Sequence, residues 1–234
     1  MMRIALVGYG KMGKIIEEVA QKRGHSIVAQ LNETPTLENL NNPDVAIEFS
    51  NPEASFENSR ICLQNQIPVI CGTTGWLDQK PEIEKIAVEN NSAFLYGSNF
   101  SLGVNLFFAL NEKLADLMKN FPEYQVQLEE IHHTHKKDAP SGTAITLAEG
   151  IIKNDPRFDA WKLEETKDHQ LGIFALREDE VPGTHSVFYK SEVDEIEIKH
   201  TAFNRNGFAL GAVIAAEWIQ GKKGNFSMKD VLFN

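Results

Sequence analysis

Residues 3–13 read RIALVGYGKMG, a short apolar strand that runs straight into glycines at positions 8, 10 and 13. In a strand–turn–helix setting each glycine has its own reason. The first makes the tight turn, the second lets backbone approach a pyrophosphate, and the third brings helix and strand together. The helix is read from Ile15, Ile16, Val19 and Ala20, which recur at helical spacing with Lys14, Glu17, Glu18 and Gln21 between them. Its N-terminus offers free N–H groups and a positive dipole end to phosphate. The turn Gly8, Gly10, Lys11, Met12 and Gly13 is therefore assigned to a dinucleotide.

Working outward, SIVAQL (26–31), VAIEF (45–49), IPVIC (67–71) and AFLYG (93–97) are further short apolar runs. Amphipathic stretches at about 53–65 and 79–90 separate the later ones. That alternation predicts an α/β domain, a Rossmann-type doubly wound parallel sheet. The link from SIVAQL to VAIEF is close to the ~10–12 residue minimum for a crossover.

Open α/β sheets bind ligands beyond the carboxyl ends of their strands. Here that edge holds Gly8–Gly13, Phe49–Asn51, Gly72–Gly75 and Ser98–Phe100. Gly72, Thr73 and Thr74 supply flexible backbone and two hydroxyls, suited to a nicotinamide carboxamide or ribose; Ser98, Asn99 and Phe100 add an amide and an aromatic ring. Each segment alone reads as a turn, and their shared placement makes them a cofactor site.

After the second strand the chain reads Leu31-Asn32-Glu33-Thr34, with no Arg or Lys close by. An acid there bonds a ribose 2′-OH, while a base accommodates a 2′-phosphate. Asn32 and Glu33 thus lean towards NADH, yet Glu33 reads equally as a solvated loop acid. Lys11 could touch a 2′-phosphate, so NADH and NADPH both stay open.

Beyond residue 103 the rhythm changes. VNLFFALNEKLADLMKN reads as a helix, YQVQLEEIHH as a half-buried strand, and SGTAITLAEGIIKN as a helix N-capped by Ser141. HSVFYKS and DEIEIKHTA read as antiparallel strands with one polar face. A last helix, about 208–220, has the spacing of a sheet-covering helix. The expected organisation is a dinucleotide-binding domain over 1–102 completed by 208–234, and a second, α+β domain over 103–207.

Composition excludes several classes. Of 234 residues, 42% are hydrophobic and 24% charged, within the globular range. No apolar run approaches the ~20 residues that cross a bilayer, and the apolar run before Gly8 is too short for a signal peptide. A cytoplasmic protein with no membrane partner is expected. The two cysteines, Cys62 and Cys71, are expected to be small buried hydrophobes. A net charge of −10 argues against nucleic acid and makes a compact basic cluster informative.

Such a cluster lies at 129–144, EEIHHTHKKDAPSGTA. As a solvated basic face it needs no function. As a metal site it would use His132, His133 and His135, but Lys136 and Lys137 would repel a dication, and no metal is expected. As an anion site with acid–base capacity, an imidazole donates a proton and a lysine fixes a carboxylate. Ser141, Gly142 and Thr143 then open a helix whose N–H groups hold a second carboxylate. A dicarboxylate beside a nicotinamide ring suits the third reading.

The chain resembles the 4-hydroxy-tetrahydrodipicolinate reductase (dihydrodipicolinate reductase) family, through VGYGKMG, GTTGW, SNFSLGVN, EIHHTHKKDAPSGTA, VPGTHSV and HTAFNRNGFALGAVIAAEW. The resemblance implies an NAD(P)H-dependent oxidoreductase of the diaminopimelate route to lysine. Hydride passes from nicotinamide C4 to the substrate ring, and the resulting enamine carbon is protonated. By position, His132 would be the general acid and Lys136 would bind substrate and assist protonation. His133, Ser141, Gly142 and Thr143 would contact substrate carboxylates. Gly72, Thr74, Ser98 and Phe100 would line the nicotinamide, and Arg205 would lie near the hinge. The resemblance also implies a homotetramer joined through sheets of the substrate-binding domain. The chain departs from the family at Asn32-Glu33, so cofactor preference does not transfer. The stretch after that strand is also short, as if one strand and helix were trimmed. Two other functions fit the first domain: a nicotinamide-sensing regulatory protein, and a reductase of another small dicarboxylate. Neither accounts for the intact His132, Lys136 and SGT set.

Overall fold

The computed structural model describes residues 1–233 apart from Glu165 and Asp179. The first elements are β1 (Arg3–Val7), α1 (Lys11–Lys22), β2 (Ser26–Leu31), α2 (Leu37–Leu40) and β3 (Val45–Glu48). Next come α3 (Pro52–Gln64), β4 (Val69–Cys71), α4 (Lys80–Glu89) and β5 (Ala93–Tyr96). After these lie α5 (Leu102–Met118), β6 (Gln125–His132), α6 (Gly142–Asn154), β7 (Ala160–Leu163) and β8 (Gln170–Arg177). The chain ends with β9 (Thr184–Lys190), β10 (Glu195–Thr201), α7 (Asn206–Trp218), β11 (Gly224–Phe226) and α8 (Met228–Phe233). Two compact units result: Met1–Leu102 with Arg205–Asn234, and Gly103–Asn204.

In the first unit six strands form a parallel sheet in the order β11-β5-β4-β3-β1-β2. Successive strand residues point to opposite faces, and the sequence supplies apolar side chains for both. Ile4, Leu6, Ile47, Ile70 and Leu95 pack with Ile16, Ala20, Val213 and Ala216 of α1 and α7. Ala5, Val7, Ala46, Val69 and Phe94 pack with Leu63, Ile83 and Ala87 of α3 and α4. Each fully buried aliphatic side chain contributes about 1.5–3 kcal/mol, so the near-continuous apolar strands follow from burial on both sides.

The short link after β2 contains only α2, closed by a capping box between Thr36 and Asn39. β2 is accordingly one of the two edge strands of the sheet. Cys62 and Cys71 are free and buried. Burial pushes the Cys62 thiol up to about 12 and the Cys71 thiol well above its ordinary value, with the Glu48 charge adding to both. Neither is a thiolate nucleophile near neutral pH.

In the second unit the strand order is β10-β9-β6-β8-β7. β6 pairs antiparallel with β9 and parallel with β8; β9 and β10 are antiparallel, β7 and β8 parallel. Leu128, Ile173, Val187 and Tyr189 on one face pack with Phe107, Met118, Leu147 and Ile151 of α5 and α6. The other face carries Gln125, Gln127, Glu129, Phe174, Phe188 and Lys190 around a cavity of about 370 Å³. β9 and β10 are the antiparallel pair that the alternation predicts. β7 and β8 are not anticipated, and neither are β11 and α8.

Candidate active site

The turn after β1 is built by steric exclusion. A methyl group on Gly8 would lie 2.1 Å from the Phe49 carbonyl oxygen, and one on Gly13 would lie 2.5 Å from that of Gly8. A methyl on Gly10 would meet nothing within 4 Å. Gly10 also occupies the N-cap of α1 with no capping side chain, and the first turn carries no acid. The first-turn N–H groups and open space over Gly10 fit a pyrophosphate.

Two cavities adjoin this turn, sharing Gly10, Phe49 and Ser50. One, of about 330 Å³, is lined by Gly8, Asn32, Glu33, Thr34, Asn51, Ala54 and Asn58 as well. The other, of about 380 Å³, adds Lys11, Met12, Pro52, Gly72, Thr73 and Thr74. Most of the residues assigned to the cofactor from sequence thus border one connected region. Asn32 Oδ1 accepts from the Tyr9 N–H at 2.9 Å, which ties the end of β2 to the glycine turn. Gly13 serves the packing of the turn, as its contact with Gly8 requires. Ser98, Asn99 and Phe100 line neither cavity. Phe100 is buried, with its ring 5.6 Å from that of Phe49, and Asn99 Oδ1 accepts from the Ser101 N–H at 2.9 Å.

Glu48 is absent from the sequence reading and lies buried beneath these loops. Its carboxylate accepts from the Ser50 N–H at 3.2 Å, the Ser55 hydroxyl at 2.8 Å and the Cys71 thiol at 3.2 Å, and also from the Ser50 hydroxyl. It joins the ends of β3 and β4 to α3. The Ser50 N–H also donates to Thr73 Oγ1 at 2.9 Å, and the Phe49 ring covers Gly72 so closely that a Cβ there would clash.

In the second unit a polar row crosses the helix-covered face at one end of the sheet. Glu130 and His132 lie two apart on β6, His185 pairs with Glu130 from β9, and Arg177 pairs with His132 from β8. His200 on β10 pairs with His185 and stacks on Phe107 at 6.1 Å. Burial pushes the His132 imidazole down to about 4; Glu130 pulls the other way, while His185, Lys136 and Arg177 add to the push. Burial alone would raise the Glu130 carboxyl, but hydrogen bonding from His185 and Ser141 and the charge of His132 bring it to about 2. Gly183 borders the ring, and a Cβ there would stand 3.0 Å from His132 Nε2.

The loop after β6 brings the remaining sequence-assigned residues to this row. Lys136 Nζ donates to both carboxylate oxygens of Asp138 at 2.8 Å. Ser141 caps α6 by accepting from the Ala144 N–H at 3.2 Å, and its hydroxyl is 3.1 Å from His185 Nε2. The Ser141 N–H donates to Glu130, so Gly142 and Thr143 hold the N–H groups that open α6. A Cβ on Gly142 would meet nothing within 4 Å. The His133 and His135 rings are 6.2 Å apart. Among the described residues, the acid and imidazole side chains that converge are instead Glu130, His132 and His185, with polar atoms within 4.8 Å of one another. Arg177 Nη2, 3.2 Å from Glu130 Oε1, sets a permanent cation beside them.

Sequence reasoning missed Glu130, Arg177, His185 and Gly183. One signal was available: alternation along YQVQLEEIHH puts Val126, Leu128, Glu130 and His132 on one face. An acid on a buried face beside a histidine is a partner for it.

Comparison with known proteins identifies the family and the fold. The family models described as "Dihydrodipicolinate reductase, N-terminus" and "Dihydrodipicolinate reductase, C-terminus" match residues 2–100 and 103–232. A 4-hydroxy-tetrahydrodipicolinate reductase of Christiangramia forsetii is 52% identical over 99% of this chain and 98% of its own. One from Methanocaldococcus jannaschii is 37% identical over 97% and 80%. Among solved structures, a dipicolinate-bound dihydrodipicolinate reductase from a Paenisporosarcina species shares the fold. Its TM-score is 0.79 at 23% identity, covering 99% of this chain and 100% of that one.

Proposed function

The chain belongs to the dihydrodipicolinate reductase family, and from that premise we propose how its residues divide the work. The reaction is the reduction of 4-hydroxy-tetrahydrodipicolinate to tetrahydrodipicolinate with NAD(P)H, on the diaminopimelate route to lysine. A bound reduced nicotinamide supplies the hydride. Gly8, Gly10 and the first turn of α1 hold the pyrophosphate, and Gly72, Thr73 and Thr74 border the nicotinamide end. Gly142 and Thr143 hold one substrate carboxylate at the head of α6. Lys136 exchanges Asp138 for the other, and His133 flanks it. Once the 4-hydroxyl has left with a neighbouring ring proton as water, hydride adds to the conjugated imine that remains, and His132 donates the proton from Nε2 to the resulting enamine carbon.

The observation that carries this reading is the gathering of His132, Lys136 and the α6 N-terminus around one end of β6, with Gly183 placing no side chain against Nε2. The test is oxidation of NADH or NADPH with enzymatically generated substrate. Wild-type protein should turn over, and His132→Gln should lower kcat by at least about a hundredfold, the common size of a general-acid contribution, while leaving cofactor affinity intact. Near-normal turnover in His132→Gln sinks the assignment of the donor.

The preferred cofactor is NADH. The cavity at the end of β2 is lined by Glu33, and no Lys or Arg is among its described lining residues. A 2′-phosphate there would face a carboxylate, and like charges brought together cost several kcal/mol. NADH should exceed NADPH in kcat/KM by at least about tenfold; equal values would place Glu33 away from the ribose. The open sheet face of the second unit joins four chains into a homotetramer working in the cytoplasm.

A further inference from the structure

The polar row of the second sheet contains a carboxylate to which the reaction assigns no part. Glu130 is fully buried, and an ionised group in that position must be balanced by its neighbours. Both its oxygens lie 3.1 Å from the Ser141 nitrogen, and Oε1 accepts from Arg177 Nη2 at 3.2 Å. Arg177 Nη2 also donates to the Asp138 carbonyl at 2.7 Å. The carboxylate thereby ties the part of the loop that follows Lys136 to β6.

Its other contact is with the proton donor. Oε2 lies 3.5 Å from His132 Nδ1, a nitrogen buried with no hydrogen-bond partner among the described residues. That separation exceeds a normal hydrogen bond and is within ion-pair range. The opposite nitrogen, Nε2, is the one beside Gly183. On the reading that His132 is the donor, we propose that Glu130 is its positioning residue: Oε2 holds the Nδ1–H edge, leaves Nε2 as the edge that gains and gives up the transferred proton, and stabilises the imidazolium until transfer.

The surroundings explain why such a group is required. A general acid must carry its proton when the substrate arrives. His132 is buried, and the charges of His185 from β9, Arg177 from β8 and Lys136 from the following loop all oppose protonation. Asp138 is engaged with Lys136. Glu130 is the described carboxylate within 4 Å of the ring that favours the imidazolium.

The sign of the pH effect follows. The protonated donor is the active form, so kcat falls as pH rises through its pKa in the substrate complex. Removing the Glu130 charge moves that limb to lower pH. Glu130→Gln should shift it by about one unit and lower kcat about tenfold along the descending limb while leaving the low-pH plateau in place, with KM for NADH changed less than about twofold. Glu130→Asp, which keeps the charge, should recover part of the shift. A limb that stays in place, or a loss equal at every pH, would overturn the proposal, because a merely structural role predicts one or the other. Should Glu130→Gln fail to fold, imidazole ¹⁵N shifts of the wild-type protein decide: neutral His132 must be the Nδ1–H tautomer, and an Nε2–H tautomer refutes the inference. Turnover surviving in His132→Gln would instead refute the donor assignment on which it rests.

Discussion

At the scale of single residues, the glycine turn separates folding from binding. Gly8 has φ +94° and faces the Phe49 carbonyl, so alanine there meets both backbone strain and a clash. A non-glycine residue in such a region costs on the order of 1–3 kcal/mol from strain alone. Gly10 carries neither burden, since its Cβ would point into open space. The two alanine variants should therefore fail differently. Gly8→Ala should lower the melting temperature. Gly10→Ala should leave it unchanged and raise KM for NADH by at least about tenfold, because the added methyl occupies the pyrophosphate's approach. Thermal melts and initial rates measured on both variants make the comparison. Equal KM values for Gly10→Ala and wild type would remove the phosphate from this turn.

At the scale of elements, legibility in the sequence followed burial. β1, β3, β4 and β5 are buried on both faces or nearly so, β2 only in part, and each is a short run with apolar residues that could be read directly. α6 was legible through Ser141, whose hydroxyl meets the Ala144 N–H as an N-cap should. α7 was legible from its apolar spacing, although it begins at Asn206 rather than near 208. β7 and β8 were not legible, because they are a parallel pair joined through 164–169. Parallel neighbours ordinarily need a crossover of a dozen or more residues, so nothing in that stretch suggests pairing. β11 is a short GNF strand at the sheet edge, with no periodicity to detect. The same contrast holds for the site. Glycines, histidines and SGT announce chemistry by type and spacing. Glu48, Glu130 and Arg177 act by completing hydrogen bonds between elements distant in sequence, and only the strand register brings them together.

For the whole molecule, the question is what becomes of the second sheet's open face. Helices α5 and α6 cover one side, leaving Phe174 and Phe188 half-exposed and Leu176 42% exposed on the other, among Gln127, Glu129 and Lys190. Large apolar side chains set among polar ones on an uncovered sheet face suit an association surface rather than a solvated one. A sheet face also presents a flat, repeating surface that a second copy can match about a two-fold axis. Light scattering coupled to gel filtration should give four times the chain mass for the wild-type protein. Phe188→Glu, which places a charge on that face, should yield smaller species. Because the nucleotide turn and its cavities belong wholly to the first unit, NADH binding by that variant should persist while assembly is lost. A wild-type protein that elutes as a monomer at micromolar concentration would exclude the tetramer. In that case Phe174, Phe188 and Leu176 would be exposed in solution as they stand.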